Sequence, residues 1–262
     1  MKIVTRTILS LLCIGSSQCG EKNYAECKPS KDGLTQEKTS TCSPRTPDEE
    51  AVLALNAGNY DKAQSILEPL IAQNPEEYMR YPRLASAYAG QAHFDLLSFG
   101  RNGGTQSSGQ SLLDTLGQFV PSADKDHLDD YKVLVSKMEK AKNILLIMPL
   151  EYRSKNGIAS YGASSETQLI MYQAAYSLMF MNQFIVPSAQ EQGKIDPQVL
   201  ETMTQEDALV ILDNLKGASA TAASNNPDLA KNIDEIEAKI KTTGGEDERK
   251  KLIDYLKNQK KS

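Results

Sequence analysis

Histidine is scarce in this chain. His93 and His127 are the only two in 262 residues, so little proton-transfer chemistry is available near neutral pH. The compact catalytic signatures are missing as well. There is no Gly-x-Ser-x-Gly elbow, no His-Glu-x-x-His pair, no calcium loop and no dinucleotide fingerprint. These absences point to a protein that is not an enzyme and holds no cofactor or metal. A cationic surplus is also lacking. The 29 Lys and Arg are outnumbered by 34 Asp and Glu, and the resulting net charge of −5 argues against nucleic acid as a partner. Beyond the first residues there is no long apolar run, and the mean hydropathy of −0.44 excludes a polytopic membrane protein. No stretch alternates apolar and polar residues as a half-buried strand does. Any strand would be confined to a piece as short as 184–186.

What is present begins with an export signal. Lys2 and Arg6 give a basic start, residues 8–14 are apolar apart from Ser10, and Gly15, Ser16 and Ser17 are small. That order describes a secretory signal and is too short to span a bilayer. Two cleavage readings stand side by side. In one, Cys19 becomes the lipidated first residue of the mature chain; in the other, a signal peptidase cuts after Ser17. In signal length, in Cys19 and in the following Gly20 the chain resembles bacterial lipoproteins. It departs from them in having Ser16 where Leu is usual and Gln18 where Gly or Ala is usual. The resemblance implies a membrane contact through an N-terminal lipid, and Gly20 implies sorting to an outer membrane facing the periplasm.

Four cysteines occur in all. Cys13 leaves with the signal, Cys19 is the anchor, and Cys27 and Cys42 remain as an even pair in an exported chain. A disulfide between them closes a loop worth roughly 3 kcal/mol in the chain-entropy account. A pair of free thiols is the other reading, while a zinc site is disfavoured because no histidine lies near. Around this pair the chain is polar, and Pro29, Gly33, Pro44 and Pro47 break helices. The resulting organisation is a signal over 1–18, a lipid-anchored linker over 19–46 and a helical domain over 47–262.

From Asp48 the spacing becomes helical. Ala51, Ala54 and Leu55 share a face, Gly58 and Asn59 make a turn, and Ala63, Ile66, Leu67, Leu70 and Ile71 recur at three- and four-residue steps. Asn74-Pro75 ends that helix, and Tyr81, Leu84, Ala85 and Tyr88 mark the next. This register resembles the tetratricopeptide repeat. Gly58 and Tyr60 stand at the turn between paired helices, Ala63, Leu67 and Leu70 in the second helix, and Pro75 at the close. Tyr81, Leu84, Ala85 and Tyr88 open the following unit, with Tyr81 in place of Trp and Ala85 in place of Gly, and Phe94 falls at its turn. The resemblance implies an all-α fold of stacked antiparallel helical hairpins that bury their faces only by stacking. The register then fails over 100–109, where four glycines read as a surface loop, and the displaced partner helix falls at 111–119.

The remainder also reads as helix. The spacing predicts a long helix over 123–148 and another to about residue 185 opened by a Ser165/Gln168 capping box. That second helix is apolar on nearly every side and belongs at the centre of the domain. Thr204 and Asp207 open a helix weakened near Gly217, and two more follow over 229–240 and 246–258. His127, among Asp126, Asp129 and Asp130, reads as a first turn favoured by the helix dipole.

Function is thus expected in binding. The repeat resemblance implies a groove for a protein partner, with Asn56, Asn59, Tyr81, Ser86 and Tyr88 shaping it. The alternative is capture of a small apolar ligand, since the chain also resembles the helical-repeat lipoproteins that accompany TRAP-type transporters. The lipid anchor is directly testable. Cys19→Ala is expected to move the protein from the carbonate-washed membrane pellet, which keeps lipid-anchored and not surface-docked proteins, to the soluble fraction; retention in the washed pellet overturns it.

Overall fold

The computed structural model describes residues 45–94, 119–187, 195–223 and 227–259. The signal, all four cysteines, the glycine-rich loop and nearly all of the helix expected over 111–119 lie outside them. Within the described residues the protein is all-α, as the periodicity predicts. The helices are α1 (Pro47–Asn56), α2 (Tyr60–Gln73), α3 (Arg80–Gln91), α4 (Leu128–Leu146), α5 (Leu150–Arg153), α6 (Gly162–Asn182), α7 (Pro197–Leu200), α8 (Gln205–Ala222), α9 (Pro227–Thr242) and α10 (Glu248–Gln259). A lone antiparallel bridge joins Pro187 to Ile195.

The main packing partners follow chain order. α1 lies against α2 and α3, α2 against α3, α3 against α4, and α4 against α6. Beyond α6, α8 packs on it and then carries α9 and α10. Alanine sets the approach at the first contacts. Ala51, Ala63 and Ala85 have no exposed surface, so helices meet there backbone to backbone. A single apolar core then runs from Ala51 and Leu67 through α6 to Leu256. As expected, α6 is its centre, with Leu169, Tyr172, Ala175, Tyr176 and Met179 among its buried residues. No described helix is long and apolar enough to cross a membrane.

One charge cluster ties the first three helices together. Arg80 on α3 donates to Asp48 on α1 through Nε (3.1 Å) and a terminal nitrogen (2.8 Å), and to the Leu70 carbonyl of α2 (3.0 Å). The two-pronged geometry fits a guanidinium to a carboxylate, and it places the ion pair where it also satisfies a helix-end carbonyl.

Three local expectations are corrected. Pro47 opens a helix instead of breaking one: it stands in the first turn, where its missing N–H costs nothing, behind a Thr46/Glu49 capping box. The helix expected from residue 123 starts at Leu128, because the Asp124 side chain accepts from the Asp126 amide and caps a separate 3₁₀ turn over Lys125–His127. Ser165 caps nothing. α6 begins at Gly162, where a Cβ would collide with the Ser154 carbonyl, and the Ser165 hydroxyl donates inside the first turn to Tyr161 O. Gly217 lies inside α8, where the buried Gln173 side chain occupies the space its Cβ would need.

The alanine contacts carry a test. Ala63→Leu and Ala85→Leu each push a side chain into a filled interface, with an expected cost of about 1–3 kcal/mol in denaturant unfolding. Wild-type stability in both would show that the helices do not meet through these positions.

Candidate functional site

The chain builds a cleft where α2 begins, α3 ends and α4 passes by. Gly58 has φ of +70°, a left-handed turn that glycine adopts without strain, and it ends the α1–α2 connection. Asn59 then caps α2, its Oδ1 accepting from the Lys62 amide at 3.2 Å. At the far side α3 closes with Gly90 and Gln91. His93 takes φ of +58°, unusual for a residue with a Cβ, and its N–H donates to Gly90 O at 3.0 Å. Phe94 follows, 1% exposed, with its ring edge-on to Tyr172 at 6.0 Å. Burial of Phe94 holds the strained residue in place. The cleft between these ends is about 500 Å³ and is lined by Gly58, Asn59, Tyr60, Asp61, Gly90, Gln91, His93 and Lys137.

A polar network extends from two of the lining residues, Asp61 and Gln91. Gln91 Nε2 donates to Asp61 Oδ1 and Gln64 Oε1, both at 2.7 Å. Gln64 Nε2 in turn donates to Glu68 Oε1 (3.0 Å) and to the Tyr88 hydroxyl (3.1 Å). The Tyr88 hydroxyl donates to Glu68 Oε1. Lys137 and Lys140 place their ammonium groups over the Tyr88 ring, 5.3 and 5.6 Å from its centre. One group is left over: Gln91 Oε1 is buried without a hydrogen-bond partner. That oxygen is shielded from solvent, so it faces the interior and not the cleft. Chemically the cleft offers the Asp61 carboxylate, the Lys137 ammonium and the His93 imidazole, and among the described residues lining it there is no arrangement of nucleophile and base.

The groove residues expected from the sequence part company here. Asn59 lines the cleft, whereas Tyr88 does not line it and joins it only through the Gln64–Gln91 hydrogen bonds. Asn56 is exposed at the end of α1. Tyr81 is buried at the opposite end of α3, its hydroxyl donating to Pro75 O at 2.8 Å. Ser86 turns toward α6, where the Tyr172 hydroxyl lies 3.4 Å and Gln168 Nε2 3.5 Å from its Oγ. Sequence reading missed Gln64, Glu68, Gln91, Lys137 and Lys140. The four-residue step from Gln64 to Glu68 was visible, but nothing local pairs it with Tyr88 or brings α4 alongside. His127 is solvent-facing, with Nδ1 3.5 Å from Asp130. Among the described residues no group of three or more His, Cys, Asp or Glu is placed to hold a metal ion.

Burial, followed by the hydrogen bond to Glu68, pushes the Tyr88 phenol up to about 12. A raised phenol pKa means that Tyr88 stabilises the fold fully below its unfolded value of about 10, and that this contribution is lost as pH rises through about 12. Tyr88→Phe is therefore expected to remove one phenolate step near pH 12 from the ultraviolet titration, leaving steps near pH 10 intact. Loss of a step near pH 10 would place Tyr88 in water. The chain matches no protein-family model, no curated protein and no solved structure.

Proposed function

We propose that this protein is a helical-repeat interaction module of the cell envelope, exported by its N-terminal signal, tethered through Cys19, and not an enzyme. Its cleft holds a segment of a protein partner. The observation that carries this reading is a cleft of about 500 Å³ framed by three helices and lined by Asn59, Asp61, Gln91, His93 and Lys137. An extended peptide supplies a backbone N–H for the Asp61 carboxylate and a carbonyl or carboxylate for the Lys137 ammonium. A small apolar ligand supplies neither, so this polar lining favours the partner segment over the apolar-ligand alternative.

Position-specific crosslinking tests it. A photoreactive residue at His93 is expected to capture one discrete envelope protein, whereas the same residue at Leu209, exposed on α8, captures none. Adding Asp61→Ala or Lys137→Glu is expected to reduce capture about tenfold, the loss of one charged hydrogen bond. Equal capture from both positions, or capture indifferent to both substitutions, overturns the reading.

A further inference from the structure

The three most exposed large apolar side chains of the described residues lie on one connection, between α4 and α6. They are Ile147 at 69% exposed, Leu150 at 66% and Ile158 at 74%. Water-facing Ile and Leu are common singly, but three on one short segment are not explained by the core. The segment is firmly built. The Lys155 amide donates to buried Glu166 Oε2 at 2.7 Å, and the Ile158 amide to Glu151 O at 2.8 Å. Gly157 and Gly162 fit only because they lack a Cβ, which would strike the Glu151 and Ser154 carbonyls. The tips are thus held outward by a tight backbone.

Around the tips sit half-buried tyrosines. Tyr78, from the α2–α3 connection, packs its ring 4.4 Å from that of Tyr152. Tyr161 lies close by, and burial, with Glu77, Tyr152 and Tyr78 adding to it, raises its phenol pKa. Charge supplies the third feature. Segment 146–158 carries Arg153 and Lys155 against Glu151 alone, a local reversal of the net −5 of the whole chain. Lys155 is exposed, while Arg153 is half-buried with its Nε shielded from solvent. Glu77 flanks the tyrosines and keeps the rim mixed in sign.

Aliphatic tips, a tyrosine collar and adjacent cations are the chemistry of a bilayer interface. The tips enter the acyl boundary, phenols rest at headgroup depth, and cations meet phosphates. We propose that the α4–α6 connection docks the folded body onto a lipid surface, as a second membrane contact separate from the N-terminal lipid. The cleft lies at the other end of α3, since Tyr78 precedes that helix and Gln91 ends it, so this docking does not depend on the partner reading.

The chain contains no tryptophan, so one introduced residue reports without background. Ile158→Trp in the full-length protein is expected to shift its emission to the blue on vesicles of phosphatidylethanolamine and phosphatidylglycerol, and to be quenched by brominated acyl chains. Leu209→Trp is expected to do neither. Both proteins carry the same N-terminal residues, so the emission reads the position of residue 158 and not tethering elsewhere. In the Ile158→Trp background, Ile147→Asp with Leu150→Asp is expected to lower vesicle affinity by on the order of a hundredfold, with circular dichroism unchanged. Arg153→Gln with Lys155→Gln is expected to lower it about tenfold, and only for anionic vesicles. An unshifted spectrum on vesicles overturns the proposal. So does an equal shift from Leu209→Trp, a shift that needs only higher protein concentration (a second copy), or one that needs an added protein fraction.

Discussion

A helix with no polar face must be surrounded, and α6 imposes that requirement on everything else. Its 21 residues bury apolar side chains in several directions at once. One neighbouring helix covers only one stripe of such a surface. The chain therefore wraps it with α3 and α4 on one flank, α8 on another, and the short α5 beside its first turns. Several polar groups that enter this shell find partners, although Gln168 Oε1 and Gln173 Oε1 do not. Tyr131 donates its hydroxyl to Met179 O at 3.1 Å, and buried Lys142 donates to Asn143 Oδ1 at 2.9 Å with its ammonium 4.8 Å from the centre of the Tyr176 ring. Burial lowers the pKa of that lysine, because the charge has lost water.

Around this centre, side-chain size decides spacing and charge decides registration. Alanines at 51, 63 and 85 let the first helices close up, and Arg80 then fixes their alignment by reaching α1 and α2 at once. The cleft follows from the same geometry. Close packing brings the start of α2 to the end of α3, and Tyr60 fills the space that the missing side chain of Gly90 leaves open. The hydrogen-bonded chain from Asp61 to Tyr88 is the polar edge of that contact.

Much of the fold was legible because it rests on local period. Leu67, Tyr81, Leu84, Ala85 and Tyr88 are buried where three- and four-residue steps put them, and Thr204 with Asp207 forms the capping box its spacing announces. The errors arose where a residue has two physical uses. Proline ends helices but also starts them, which decided Pro47. Serine near a helix start caps it or bonds back within the first turn, which decided Ser165. The cleft was only partly legible. Asn59 and Tyr88 are marked by the turn and by the helical face, but Lys137 and Gln91 acquire meaning only when α4 lies against α3. That is a tertiary fact with no local signal.

His93 and Phe94 join two parts of the molecule that otherwise share few atoms. The residue that gives the cleft its imidazole precedes one whose ring rests on Tyr172 of the central helix. The left-handed backbone at His93 and the buried ring of Phe94 are neighbours along the chain, so a single peptide unit separates the rim from the interior.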